Sequence, residues 1–458
     1  MMKKRLSRRQ LLLMLTAAAG GVGLASWVRR LLGLPAVDAQ PLDLTPEAYL
    51  PYIVRDASPT PTLTPTRTPS PTPTRTPTPS RTPTQTPTPT PSRTPTRTPT
   101  PSPSPSPTAT EVSGTGPRVA HVYSPSATSW NFSTGWYGDY VNQSVVNTMA
   151  DEGVKRLTGQ STVANAWSAL LPGYSAGKVI AIKVNFNNSG ANGGCTATGN
   201  QIDGLIEPVN ALVRGMKEIG VREQDIWVYD ALKRLPNRFR TRCQYPGVRF
   251  FDRECAELVT FDVNDPDAKV VFQHASLEDR VLTGMVMNAT YLINMPIMKD
   301  HSITGVTLGL KNHFGSIHYV IGGGADNLHL YISPTDPNYN ASYSPTVEIN
   351  LHPHIRNKTV LIVGDGLYGA LNDTNTIPAA WHSFGDAAPN SLFFAADPVA
   401  IDCVMLDFLD AEPNSWHPHG SHRDDYLAVA ATAGLGVFER GQPWTTGYAN
   451  IDYQKITL

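Results

Sequence analysis

The chain has 458 residues and a formal net charge of -1, with 37 Lys and Arg against 38 Asp and Glu. A near-neutral chain whose Lys and Arg do not cluster in its globular part does not read as a nucleic-acid binder. Its four cysteines form no C-x-x-C pair, which argues against a structural zinc or an iron–sulfur cluster.

At the N-terminus Lys3, Lys4 and Arg5 precede Ser7-Arg8-Arg9-Gln10-Leu11-Leu12, and an apolar run diluted with Ala and Gly follows. This is the pattern of a twin-arginine export signal. Val37-Asp38-Ala39 offers a cleavage site before Gln40, so residues 1–39 are expected to be a signal peptide and 40–57 a short spacer. The destination would be the periplasm, the cell surface or the medium. If the signal stays uncleaved, Leu11–Val28 is long enough to span a bilayer, and that segment is the one membrane contact expected.

Residues 58–112 are a Pro/Thr/Ser-rich tract carrying Arg67, Arg75, Arg81, Arg93 and Arg97. Too few apolar residues are present to bury a core, so disorder is expected. Alternating proline favours an extended chain of about 3.1 Å per residue, enough to reach on the order of 150 Å. The tract reads as a stalk open to O-glycosylation, with a tolerated low-complexity insertion as the plainer alternative.

Residues 113–458 read as a single α/β globular domain. Strand signals fall at RVAHVYS, KVIAIKVNF, DIWVYDA, YLINMPIM, TVLIVGDG and SLFFAADP. Helix signals fall at Tyr140–Leu157, Glu207–Gly220 and AIDCVMLDFL. The alternation predicts a mostly parallel sheet with helices on both faces. VRFFD, LVTFDV and KVVFQ predict a small antiparallel excursion around 245–275. Cys403, in an apolar run, is expected to be an inert core thiol. In an oxidising compartment two of Cys195, Cys243 and Cys255 are free to pair, or all stay reduced.

Five of the strands end in polar groups: Lys183 and Asn185, Asp230, Lys299 and His301, Asp365, and Asp397. In open α/β sheets ligands bind beyond the carboxyl ends of the strands, so these residues are expected to converge on one crevice. The segment Tyr291–His318 adds a predicted helix capped by Asp300 or Ser302 and ended by Gly315. On it Thr304, Thr307 and Lys311 would face the crevice, with Ile303, Val306, Leu310 and Phe314 opposite. Hydroxyls and lysines at a helix N-terminus suit an anion. Three aspartates suit a divalent metal. The alternative is an internal salt-bridge network that fixes the sheet.

KVNFN, INMPIMKDHSITGVTLGLKNHFGSIH, VGDGLYG and AADPVAIDCV, in this order over most of Arg118–Phe408, resemble the signature blocks of the domain of unknown function 362 family. Many family members resemble iron–sulfur proteins through attached ferredoxin-type Cys motifs. This chain lacks those motifs, so no cluster is expected. The resemblance implies a shared strand-end site and supplies no reaction.

Ten of the twelve histidines fall between His301 and His422, and WHPHGSHRDD gathers His417, His419 and His422 beside two acids. That spacing suits a metal or an exposed polar loop. His352 and His354 carry the same two readings. IGGGAD, Ile321–Asp326, reads as a mobile loop or a lid.

These residues predict an exported enzyme acting on a small anionic or polar substrate at the strand-end crevice, with a divalent metal as the candidate cofactor. Lys299, His301 and Lys311 would be catalytic, with charge stabilisation from the lysines and proton transfer by His301. Lys183, Asn185, Thr304, Thr307 and Asn312 would bind substrate, and Asp230, Asp365 and Asp397 would hold the metal. The competing expectation is a non-catalytic surface binding module on the stalk, with Trp130, Phe132, Trp136 and Tyr137 as its contact surface.

Overall fold

A computed structural model describes residues 109–318, 326–371, 377–413, 415 and 420–458. The expected signal segment and spacer, the tract up to Thr108, the loop residues 321–325, His417 and His419 lie outside the described residues. No described helix is long and apolar enough to cross a membrane.

The strands in chain order are β1 (Ala109–Ser113), β2 (Arg118–Tyr123), β3 (Val179–Lys183), β4 (Ile226–Tyr229), β5 (Arg249–Asp252), β6 (Glu257–Leu258), β7 (Lys269–Val270), β8 (Arg280–Val281), β9 (Ala289–Asn294), β10 (Ile297–His301), β11 (Gly305–Thr307), β12 (Thr359–Ala370), β13 (Ser391–Ala395) and β14 (Asp452–Thr457). Twelve of them form one sheet, ordered β1-β14-β2-β13-β12-β9-β3-β4-β5-β6, with the β10–β11 hairpin attached through β10 to β12. Most neighbours run parallel. The sheet begins at Ala109, four residues before the expected boundary at 113, because β1 pairs with β14.

Two expectations change in detail. β5 and β6 continue the main sheet in parallel, so the antiparallel excursion shrinks to the β7–β8 ribbon. β13 runs antiparallel to both β12 and β2. A parallel return needs a crossover element. Between β12 and β13 the described residues offer only the three-residue turn His382–Phe384.

Helices cover both faces. On one lie α1 (Gln143–Thr158), α2 (Val163–Leu170) and α3 (Ile206–Lys217). Their Met149, Val154, Trp167, Leu212 and Met216 join Ile180, Ile182, Leu361 and Val363 of the sheet. On the other lies α6 (Pro398–Ala411), whose Ile401, Val404, Met405 and Phe408 pack with Val119, Ile362 and Phe393. Successive residues of β12 thus point to opposite cores, which is why the strand reads as an unbroken apolar run. Cys403 is buried in the second core, where burial pushes its thiol up to about 12. Cys195 pairs with Cys255, and Cys243 is free.

Candidate functional site

The C-terminal ends of β3, β4 and β9 lie level, with Lys183 opposite Tyr229 on one side and Asn294 on the other. Lys183 is buried, and its Nζ donates to Val184 O at 2.5 Å, Asn312 Oδ1 at 3.0 Å and Asp230 Oδ2 at 3.2 Å. Those bonds use its three donors. Asp230 Oδ1 accepts the N–H groups of Leu232 and Lys233. Asn185 donates to Asn312 Oδ1, and Asn312 donates to Asn294 Oδ1 at 2.7 Å. Burial lowers the Lys183 pKa while Asp230 opposes the shift. Lys183, Asn185, Asp230 and Asn312 therefore meet, but as a filled polar network that locks the strand ends.

Asp365 sits one step beyond, paired in register with Ile297. Its carboxyl accepts Leu367 N at 3.1 Å, and burial pushes its pKa up to about 7. Asp397 lies elsewhere. Because β13 is antiparallel, its end aligns with the first half of β12, Ala395 opposite Ile362. There Asp397 caps α6, accepting Val399 N at 2.9 Å, Ala400 N at 2.8 Å and, from a distant loop, Val437 N at 2.9 Å. The expected convergence of five strand ends is thus corrected, and Asp230, Asp365 and Asp397 do not form one ligand set. Among the described residues no group of three or more His, Cys, Asp or Glu is placed to hold a metal ion.

The segment expected to be one helix is a hairpin followed by a single turn of helix. Lys299 pairs with Thr307 and His301 with Gly305. β-Branched Thr304, Val306 and Thr307 favour extended backbone, and Gly305 takes φ +82° at the turn. His301 Nδ1 accepts the N–H groups of Ile303 at 3.1 Å and Thr304 at 3.3 Å, so the neutral ring carries its proton on Nε2. Thr304 Oγ1 donates to Val306 O at 2.8 Å, while Thr307 Oγ1 is buried without a partner among the described residues. Helix α4 (Gly309–Asn312) starts late, and its cap comes from α6: Asp402 accepts Gly309 N at 2.7 Å and Leu310 N at 3.0 Å. Asp300 is buried in an ion pair with Arg423 and accepts Ser415 Oγ at 2.8 Å. Thr304, Thr307 and Lys311 consequently do not share a helical face.

Around this hairpin lies a set of cations that the sequence reading passed over. The run Lys233–Arg242 after β4 holds five cations in ten residues. Arg234 pairs with Glu254, Arg242 with Asp139 and Glu207, and Arg240 bonds Asn237 and Leu235 O. Lys233 and Arg238 have no ion pair or hydrogen bond from their side chains among the described residues. Arg238 stacks over Trp136, 4.3 Å from the ring centroid. Partly buried Lys311 likewise has no acidic partner there; its ammonium lies 5.4 Å from the Phe314 ring centroid. Burial, then the charges of Lys299 and Lys233, push the Lys311 pKa well below its ordinary value.

Asp203, in the loop after β3, faces this group. Burial pushes its pKa up to about 7, against hydrogen bonds from Asn188 and Asn192 and the charges of Arg238 and Lys299. His329 stacks near His301, with centroids 6.1 Å apart, and burial with Lys311 and Lys233 pushes it down to about 3. The charges of Lys299 and Arg238 thus act on Asp203, and those of Lys299 and Lys233 on Lys311. Lys311 also lines a narrow cleft with Thr304, Tyr331, Tyr343 and Tyr426. Asp425, on the same cleft, is engaged by Tyr339 and His422.

The aromatic loop is packed, not displayed. Trp130 and Tyr137 are buried and meet Tyr368, and Tyr137 Oη donates to Asp203 O at 2.9 Å. His352 caps the short helix α5 (Pro353–Arg356) by accepting His354 N. Of the missed residues, the five-cation run was the available signal. Asp203 and His329 had none, since their surroundings arise only in the fold.

Residues 180–407 match the family model DUF362, described as a domain of unknown function. No curated protein matches the chain.

Proposed function

Taking residues 180–407 as a DUF362 domain, we propose that the chain is an exported enzyme acting on a small anionic molecule bound at the strand-end crevice. One observation carries this reading: Lys311, Lys233 and Arg238 form no ion pair among the described residues, whereas Lys183, Arg234, Arg242, Arg280 and Arg440 are all paired. Cations gathered with little counter-charge repel one another, and a carboxylate or phosphate offsets that repulsion. The facing acid, Asp203, is half protonated near neutrality and so neutralises them only in part.

Within this reading Lys299 stabilises charge and His301 offers Nε2 for proton transfer, since its Nδ1 is held by the turn. Lys183, Asn185 and Asn312 shape the crevice floor instead of touching substrate. The Cys195–Cys255 disulfide supports export, because such bonds persist in oxidising compartments. The twin-arginine signal and the stalk remain part of the proposal on their sequence pattern. A non-catalytic binding module keeps one observation in its favour, the filled Lys183–Asp230 network. The packed aromatic loop counts against it.

Calorimetric titration with inorganic phosphate and oxalate tests the reading. Binding that weakens with salt, and that falls about tenfold (about 1.4 kcal/mol) in Arg238→Ala or Lys233→Ala, is expected. Equal affinity in wild type and both variants would overturn it. Elemental analysis of the same preparation reports directly whether a divalent ion is retained.

A further inference from the structure

We propose that Lys311 Nζ is an amine nucleophile that forms an imine with the carbonyl carbon of an anionic aldehyde or ketone, the 2-oxo acids being the fitting class. The inference deepens the anionic-substrate reading and rests on it. Three observations carry it. Lys311 lines the wall of the narrow cleft beside Thr304, Tyr331, Tyr343 and Tyr426. It has no acid partner among the described residues, unlike Lys155, Lys183, Lys217 and Lys269, which pair with Glu152, Asp230, Glu223 and Asp279. Its charged neighbours are themselves cations, Lys299 and Lys233.

A lysine that is partly desolvated and surrounded by positive charge holds its proton weakly, and a neutral amine carries the lone pair that nucleophilic attack requires. The same cations draw the carboxylate of a 2-oxo acid to the amine, so one feature supplies both binding and activation. Asp425, the carboxylate on this cleft, is occupied by Tyr339 and His422 and leaves the ammonium form of Lys311 without a close counter-ion.

The step balances without a co-reactant. The nitrogen lone pair attacks the carbonyl carbon and the C=O π pair moves to oxygen. One amine proton passes to that oxygen, giving a carbinolamine. The nitrogen lone pair then forms the C=N bond as the C–O bond breaks, and the oxygen leaves as water with the second amine proton.

Reductive trapping tests the proposal on the wild-type chain. Glyoxylate and cyanoborohydride at neutral pH should add one carboxymethyl group, and peptide mapping should place it on Lys311. The rate should exceed that at exposed lysines such as Lys217 and Lys269, because a lowered pKa leaves more neutral amine at this pH. Lys311→Arg should remove this fast label. Uniform labelling of all lysines, or none at Lys311, overturns the proposal. Glyoxylate that binds by calorimetry yet is not trapped overturns the nucleophile and leaves the anionic reading standing. Acetaldehyde separates the opposite case. If it is trapped at Lys311 as fast as glyoxylate, in wild type and in Lys233→Ala/Arg238→Ala alike, the nucleophile stands and the anionic reading falls.

Discussion

Burial acts on single residues near the crevice in opposite senses according to the charge of their ionised form. Asp203, Asp365 and Asp402 are pushed up to about 7, while His313 and His329 are pushed down to about 3. Each shift favours the uncharged form. For His313 the causes are burial first and the charge of Lys183 second, and the neutral ring bonds Ser316 Oγ through Nδ1 at 3.0 Å. A histidine depressed on folding contributes stability that is fully present above its unfolded pKa of about 6.5. That contribution is lost as pH falls from there toward the folded value of about 3. Across this window the folded protein binds up to one proton fewer, worth about 1.4 kcal/mol per pH unit. The raised aspartates bend the curve the other way, but they are present in both proteins and cancel in a comparison. His313→Gln should therefore show a shallower loss of stability than wild type in urea unfolding between about pH 6 and 4. Equal slopes would mean that the ring is already charged in the fold.

At the scale of elements, the β10–β11 hairpin shows what sequence periodicity cannot weigh. Apolar residues at Ile303, Val306, Leu310 and Phe314 fit a helical stripe. The structure instead folds Ile297–Thr307 into two strands, and half-exposed Ile303 sits at the turn. The deciding residue is Gly305, at φ +82°, where an added Cβ would lie 2.8 Å from Arg423 Cγ and 3.1 Å from its Cα. Gly305→Ala should cost about 1–3 kcal/mol through strained backbone and displacement of Arg423 from Asp300. A denaturation midpoint unchanged from wild type would show that the turn tolerates a side chain. By contrast β3, β9 and β12 were legible, since both faces of each are covered and the runs are apolar throughout. The direction of β13 was not, because an apolar run of five residues reads alike in either sense. That one reversal removed Asp397 from the site. Lys183, Asp230 and Asn312 were legible as neighbours but not as partners, because pairing depends on which strand ends lie level.

For the whole molecule, the site depends on segments that chain order keeps apart, and the disulfide is what joins two of them covalently. Cys195 lies in the loop after β3, which also holds Asn188, Asn192 and Asp203; Cys255 lies between β5 and β6, beyond β4 in the sheet. The sequence left three cysteines open to pair because spacing along the chain carries no information on which loops meet above a sheet. Bridging residues 60 apart removes conformational freedom from the unfolded chain worth about 4 kcal/mol. It also fixes the loop whose asparagines hold the Asp203 carboxyl beside Arg238 and Lys299. Cys195→Ser/Cys255→Ser should thus unfold at markedly lower urea, by about 4 kcal/mol on extrapolation, and reductant should bring wild type to the same midpoint. Phosphate affinity should drop together with stability if the bridge positions Asp203. An affinity unchanged in the reduced but still folded protein would assign the bond to stability alone. A midpoint that reductant does not move would mean that the bridge adds nothing to the fold.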